Sequence, residues 1–350
     1  MGKVTIVGLG LIGGSMGLAL KRAQPENTEI CGFDQNNEVM VRAHKAKVVD
    51  SIAPTMRHAV ADANVVIVCT PIVTMRSVFR EMAQSLQRGT VVTDTGSTKA
   101  DVLRWADEEL PKNVSFVGGH PMAGKEKQGL HQAEETLFEG KPYVIVPAVD
   151  ASQGAVNQIV ALAQVVGAEP RFLDAEEHDS YAAAVSHLPL LTSVALFNLA
   201  KGSNAWPELA GMSGSGFRDL TRLASGEAEM SHDIFLTNRE NVLHWLNRYI
   251  GELQRLADMV DSREDAESLF KSLTETQMAR DKFLEEPPRH PDAVQYMDYP
   301  DSTETFMTML TGTLIQNRAK ELTGYLEEKG KEDEEADRLR RRRKTLDDLD

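Results

Sequence analysis

The sequence predicts an α/β protein, with a doubly wound parallel sheet in its first half and an all-helical domain after it. Three observations carry this. Short β-rich runs alternate with helical patterns from residue 3 to residue 174, the rhythm of a parallel sheet covered on both faces. The β-rich runs then stop, and residues 175–285 show only helical periodicity. Hydrophobic residues make up 41% of the 350, enough for packed cores at a length that suits two domains.

The elements follow in order. KVTIV (3–7) is a strand, and GLGLIGGSMGLALKRA (8–23) is a glycine turn opening into a helix. EICGFD (29–34) is a second strand ending on an acid, and HAVADANVVIVCTP (58–71) gives a helix end and then a strand. SVFREMAQSLQRG (77–89) is helical, with Gly89 as its stop. TVVTDTGS (90–97), VSFVGGHP (114–121), KPYVIVPA (141–148) and AEPRFLD (168–174) are strands. TKADVLRWADEEL (98–110) is a helix, and another lies between the last two strands. In ENVLHWLNRYIGELQRLADMV, Val242, Trp245, Tyr249, Leu253, Leu256 and Val260 recur at spacings of three and four, one apolar helix face. EEPPRHP (285–291) breaks the pattern. The expected organisation is a dinucleotide-binding domain over 1–174, a helical substrate domain over 175–285, and a charged helical tail over 286–350 laced with pairs such as Glu334 with Arg338 and Asp337 with Arg341.

A net charge of −15 argues against a broad nucleic-acid surface, although a local arginine can still hold a small anion. Cys31 and Cys69 lie in apolar strand runs and read as reduced core residues. With no signal peptide legible in the first ten residues, a cytoplasmic protein is expected. The most apolar stretch, 181–200, contains His187, Pro189 and Asn198 and reads as a buried helix rather than a membrane span. The nine histidines are dispersed, and no metal-binding motif appears.

Gly8, Gly10 and Gly13 stand in G-x-G-x-x-G register between a strand and a helix. Asp34 follows twenty-one residues after Gly13, at the end of the second strand. This is the fingerprint of a Rossmann-type dinucleotide site. The opening of the helix at Leu11 and Ile12 faces the phosphates. Asp34 suits the ribose hydroxyls and opposes a 2′-phosphate, and no arginine or lysine follows it within five residues, so NAD is expected over NADP.

Ligands of such sheets bind outside the carboxyl ends of the strands. Those ends carry Thr70-Pro71, Thr95-Gly96-Ser97 and Gly118-Gly119-His120-Pro121. Gly118 and Gly119 are expected to let the backbone pass close to a ligand, with Pro121 fixing the chain after a turn. A nicotinamide enzyme needs an acceptor for the hydroxyl proton, and a neutral histidine suits it. His120 is the candidate. Ser97 either hydrogen-bonds that hydroxyl and orients the imidazole or caps the next helix. His187, alone in an apolar helix, reads as a core histidine with a backbone partner. In GMSGSGFRDLTRLA, Arg218 and Arg222 flank Asp219. One arginine suits a substrate carboxylate, while the other pairs with Asp219 or a second subunit, or both form a surface cluster.

Taken together, GLGLIGGS, CTP, DTGS-x-K, GGHPMAG-x-E, SHLP and GF-x-D-x-TR-x-A, in that order over residues 3 to 260, resemble the prephenate/arogenate dehydrogenase family of tyrosine biosynthesis. The resemblance implies a dinucleotide domain followed by an all-α dimerisation domain, and an NAD-dependent oxidative decarboxylation. It implies that His120 accepts the ring C4 hydroxyl proton, that Ser97 contacts hydroxyl and histidine, and that Arg222 holds a substrate carboxylate. It places His187 near the substrate side chain, and Glu126 and Asp219 in subunit-spanning contacts that control access. Prephenate and arogenate both fit, with His187 as a donor to a keto oxygen favouring prephenate. The family variants with a fused chorismate mutase domain or a small regulatory βαββαβ domain are not expected. Two rivals are a β-hydroxyacid dehydrogenase, which normally takes a lysine base from its helical domain, and a non-catalytic NAD-sensing protein.

Overall fold

A computed structural model describes residues 2–23, 28–262 and 266–288. The ion pairs expected in the tail, Glu334 with Arg338 and Asp337 with Arg341, lie outside the described residues. Eight strands form one sheet: β1 (Gly2–Val7), β2 (Thr28–Phe33), β3 (Ser51–Ile52), β4 (Val65–Val68), β5 (Val91–Asp94), β6 (Ser115–Pro121), β7 (Pro142–Pro147) and β8 (Glu169–Phe172). Their order is β3-β2-β1-β4-β5-β6-β7-β8. β4 and β5 are buried along their whole length, as the continuous apolar runs VVIV and VVT require of central strands covered on both faces.

Six helices supply the cover: α1 (Leu11–Ala23), α2 (Asn37–Lys45), α3 (Met56–Val60), α4 (Ile72–Ala83), α5 (Ala100–Glu109) and α6 (Gln153–Val165). On one face Met16 and Leu20 of α1 and Ile159 and Leu162 of α6 pack with Val4 and Ile67. On the other, Met75, Phe79 and Met82 of α4 and Val102 and Trp105 of α5 pack with Val66 and Val92, and Phe79 meets Phe116 edge to face at 5.5 Å. Successive connections leave β1 in opposite directions, so the switch in strand order falls between β1 and β4. The crevice there is where such sheets bind ligands.

The doubly wound parallel sheet expected is present, with one antiparallel pair in it. β6 and β7 pair antiparallel, Gly119 opposite Ile145 and His120 opposite Val144, while β7 and β8 are parallel to each other. The reason lies in the connection. A parallel pair needs a crossover of a dozen or more residues, usually helical. Residues 122–141 carry only a 3₁₀ turn, Leu130–Gln132, so the chain doubles back. The helical α6 connection restores a parallel pair after it. The two-residue β3 is too short to have left a periodic signal.

From Ala175 the chain is helical: α7 (Ala175–Ala182), a π-turn (Ala183–His187), α8 (Leu188–Lys201), α9 (Trp206–Gly211), α10 (Ser215–Thr221), a 3₁₀ turn (Arg222–Ser225), α11 (Ala228–Thr237), α12 (Arg239–Asp261) and α13 (Ala266–Glu285). The stretch 181–200, expected to be a buried helix, is therefore neither one regular helix nor mostly buried, with Tyr181, Val185 and Leu199 exposed. Leu188 donates its N–H five residues back to Ala183. Pro189, which has no N–H to give, follows at the start of α8. By length and composition alone, the run Ala175–Lys201 is apolar enough to cross a membrane, but here it brings the buried polar residues His178, Asp179 and His187 against the sheet domain. Asp233 of α11 accepts Val73 N–H at 3.0 Å, capping α4 from across the two parts of the chain, and Thr98 Oγ1 meets Thr237 Oγ1 at 2.8 Å.

The apolar stripe expected along α12 is present, but only its start is covered. Val242 is 4% exposed, whereas Leu253 and Val260 are 47% and 69% exposed. Nearly all the exposed large apolar side chains fall after Ala175, among them Leu199, Met212, Leu220, Ile250 and Phe270. An apolar surface of that extent marks an interaction face.

Candidate active site

The glycine turn after β1 is built for close approach. Gly8 has φ +92°, a conformation side chains disfavour, and a Cβ there would lie 2.6 Å from Cys69 O. A Cβ on Gly13 would collide with the Gly8 carbonyl, so helix and turn pack backbone to backbone. Gly10 faces open space. The first helical bond of α1 runs from Gly14 N–H to Gly10 O at 2.9 Å, which leaves the N–H groups of Leu11, Ile12 and Gly13 ahead of it as donors for an anion.

Asp34 follows β2 and holds the turn: Oδ2 accepts Leu9 N–H at 2.9 Å, and Oδ1 accepts Asn36 N–H at 2.9 Å. No cation pairs with it among the described residues, so its remaining lone pairs are available to hydroxyls. Thr70 Oγ1, at the end of β4 beside Pro71, is buried without a hydrogen-bond partner. A glycine cradle, free helix-end donors, an anchored carboxylate and an orphan hydroxyl fit a dinucleotide.

Beside this crevice the loops after β5 and β6 are tied by a polar hub that sequence reasoning missed. Asp94 Oδ2 accepts Gly96 N–H at 2.7 Å, and Oδ1 accepts Gly119 N–H at 3.1 Å. Lys99 Nζ pairs with Asp94, both side chains fully buried. The pair was visible in DTGSTK only as two charges five apart. Gly118 and Gly119 are not beside a ligand, as expected, but inside the protein. A Cβ on Gly119 would lie 2.6 Å from Asp94 O and 2.7 Å from the Tyr143 hydroxyl, and one on Gly118 3.0 Å from Val146 O. His120 and Pro121 belong to β6 itself rather than to a turn.

His120 is 7% exposed. Its Nδ1 lies 2.8 Å from His178 Nε2, and His178 Nδ1 lies 2.7 Å from Asp179 Oδ1. The Asp179 carboxylate also accepts the N–H groups of Lys99 at 2.7 Å and Ala100 at 2.9 Å, capping α5 from α7. Ser97 therefore does not cap that helix. It is half-buried, and no hydrogen bond engages its hydroxyl among the described residues. Burial, reinforced by competition for positive charge with the neighbouring His178, Lys99 and His187, holds the His120 pKa well below 6.5. Burial likewise lowers His178.

His187 is fully buried at the end of the π-turn. Its ring has a backbone partner, as expected, at Ser97, and a side-chain one besides: Nδ1 lies 3.1 Å from Asn238 Nδ2. Nε2 is buried without a close hydrogen bond. Burial lowers its pKa to about 4. Arg222 opens the 3₁₀ turn and pairs with Glu126, both partly exposed. Arg218 and Asp219 are exposed on α10 and have no ion-pair partner among the described residues, so of the alternatives for FRDLTR the pairing of an arginine with Asp219 does not form. The residues missed from sequence, Asp94, Lys99, His178, Asp179 and Asn238, are all buried; adjacent ionisable residues in AEEHDSY were the only signal for two of them. No group of three His, Cys, Asp or Glu is placed to hold a metal ion among the described residues.

Two family domains match the chain in succession: "Prephenate dehydrogenase, nucleotide-binding domain" over residues 16–170, and "Prephenate dehydrogenase, dimerization domain" over residues 174–275. The prephenate dehydrogenase of Bacillus subtilis is 35% identical over 305 residues, covering 85% of this chain and 81% of that one. The crystal structure of prephenate dehydrogenase from Aquifex aeolicus, in complex with hydroxyphenyl propionate and NAD+, superposes with a TM-score of 0.75 at 30% identity, covering 81% of this chain and 98% of that one. Synechocystis arogenate dehydrogenase superposes at 0.68 with 27% identity, covering 80% and 99%.

Proposed function

The chain belongs to the prephenate dehydrogenase family, and on that premise we propose how its residues perform the reaction. It is an NAD-dependent oxidoreductase that decarboxylates prephenate to 4-hydroxyphenylpyruvate in tyrosine biosynthesis. NAD bound in the glycine cradle would supply the acceptor for the hydride of the ring C4 carbinol. His120 Nε2 takes the hydroxyl proton. Carbon dioxide leaves from C1, its bonding electrons complete the aromatic ring, and the proton returns from His120 to the phenolate oxygen so formed. Gly8, Gly10, Leu11, Ile12 and Gly13 receive the pyrophosphate, Asp34 the adenosine ribose, and Thr70 and Pro71 flank the cofactor.

One observation carries this reading. His120 is a neutral, buried imidazole whose Nδ1 is engaged while no hydrogen bond among the described residues occupies Nε2. That state suits a general base at neutral pH. Ser97, with a free hydroxyl, bridges substrate and histidine. Arg222 leaves Glu126 to hold a substrate carboxylate, and His187 donates to the side chain. Glu126 and Asp219 govern access to the site, with Arg218 adding positive charge at its mouth. Residues 1–174 form the cofactor domain and 175–285 the substrate domain. The exposed apolar face of the helical part is buried in a homodimer, and the enzyme works in the cytoplasm.

The test is NADH formation by the purified protein with prephenate or arogenate, each with NAD+ or NADP+. Turnover with prephenate and NAD+ is expected. In His120→Asn, NAD+ binding stays intact and kcat falls roughly 10²–10⁴-fold or more, the range for a lost general base. Near-normal turnover in that variant removes His120 from the proposed mechanism.

A further inference from the structure

The two histidines of the site are connected to one residue. Asp179 reaches His120 through its side chain and His187 through its backbone. We propose that Asp179 sets the tautomers of both in opposite senses, so that His120 presents a bare Nε2 and His187 a protonated Nε2 to the substrate.

The first branch runs through the carboxylate. Both its oxygens already accept backbone N–H groups, from Lys99 and Ala100, so it acts as an acceptor toward His178. His178 Nδ1, 2.7 Å away, must then carry the proton. A neutral imidazole has one N–H, so His178 Nε2 is a lone pair, and His120 Nδ1 at 2.8 Å must donate to it. The same count leaves His120 Nε2 bare, as a proton acceptor requires.

The second branch runs through the carbonyl. Asp179 O can only accept, and Asn238 Nδ2 lies 2.7 Å from it. This fixes the amide orientation, and Asn238 Oδ1 in turn accepts from Asn241 Nδ2 at 2.8 Å. The second hydrogen of Asn238 Nδ2 points to His187 Nδ1 at 3.1 Å. Nδ1 therefore accepts, and the His187 proton sits on Nε2. That nitrogen is buried and makes no close hydrogen bond, although the Ser97 backbone favours a proton on the ring. A buried donor so poorly matched is costly, and an acceptor supplied by substrate lowers the cost. A keto or carboxylate oxygen serves; an ammonium does not. The tautomer thus also favours a keto-acid side chain over an amino-acid one.

The functional half of this inference rests on His120 being the base; the tautomers themselves do not. They are read by long-range ¹H–¹⁵N correlation of the full-length protein labelled at histidine nitrogens, near pH 7.5. Signals are assigned with His120→Asn and His187→Asn. The expected result is a proton on Nδ1 of His120 and on Nε2 of His187. Matching tautomers, or a proton on Nε2 of His120, overturns the proposal even if His120→Asn is inactive. Conversely, the expected tautomers with near-normal turnover in His120→Asn sink only the base assignment.

Asp179→Asn supplies the second arm. Its backbone carbonyl remains, so the His187 signal holds, while the His120 proton moves to Nε2. kcat then falls roughly 10³–10⁴-fold with NAD+ affinity unchanged, as when a triad aspartate becomes asparagine. Should that variant fail to fold, His178→Gln removes the relay and leaves the helix cap, with the same loss expected. Asn238→Leu should do the reverse, raising KM for prephenate about tenfold with His120 unchanged. A His120 signal that ignores Asp179→Asn or His178→Gln overturns the first branch, and an unaltered His187 signal in Asn238→Leu overturns the second.

Discussion

Lys99 and Asp94 form an ion pair with neither side chain exposed, and that pair ties the loop of Ser97 to the strand of His120. Removing one partner from such a pair leaves the other buried and uncompensated, at a cost of about 3–5 kcal/mol. Lys99→Met should lower the denaturant midpoint accordingly. It should also raise the pKa of His120, because the Lys99 charge opposes its protonation, and move the acid limb of the kcat/KM profile toward neutral pH. An unshifted limb and midpoint would show that the pair is dispensable.

The pH profile follows from burial. Neutral His120 is the competent form and its pKa lies well below 6.5, so kcat/KM should stay flat down through pH 6.5 and fall only below it. A limb at or above 6.5 would contradict the buried, neutral imidazole.

Stability should share that direction. Buried His120, His178 and His187 are harder to protonate in the fold than in the unfolded chain. Below pH 6.5 the unfolded state binds more protons, so stability is complete above that pH and lost on acidification toward the folded pKa values. His187, lowered from 6.5 to about 4, accounts for about 3 kcal/mol of that loss. Urea melts at pH 7.5 and pH 5 should show about 2 kcal/mol of it, because the loss is complete only below the folded pKa of about 4.

Gly10 and Gly13 should separate binding from folding. A methyl at Gly10 meets nothing within 4 Å, so Gly10→Ala should keep its Tm and lose NAD+ affinity, because the methyl intrudes on the pyrophosphate. Gly13→Ala drives a Cβ into the Gly8 carbonyl and should lose both. Calorimetry and NAD+ titration on the two variants distinguish the roles.

Arg222→Gln should raise KM for prephenate far more than KM for NAD+, as loss of a charge-assisted carboxylate contact predicts. Equal KM values in wild type and variant would place the carboxylate site elsewhere.

In solution the protein should run at twice its 38.6 kDa chain mass. Ile250→Asp with Leu253→Asp, on the exposed stretch of α12, should yield monomer by light scattering. A wild-type monomer would leave the apolar face to another partner.

The sequence by itself determined what is local. The glycine register, Asp34 at a strand end, the alternation of strands and helices, and His120 beside the crevice all follow from spacings within one supersecondary unit, where backbone period and turn chemistry act. Only the tertiary structure decided the rest. β7 reverses because its connection lacks a crossover helix. The stripe of α12 is left largely uncovered among the described residues, because a periodic apolar face does not state what will pack against it. His178 stands 58 residues from His120, and Asp179 stands 80 from the backbone it caps at Lys99. Desolvation and proton placement depend on which groups are brought within hydrogen-bonding distance after folding. A pattern with a period of two or 3.6 residues carries no information about that.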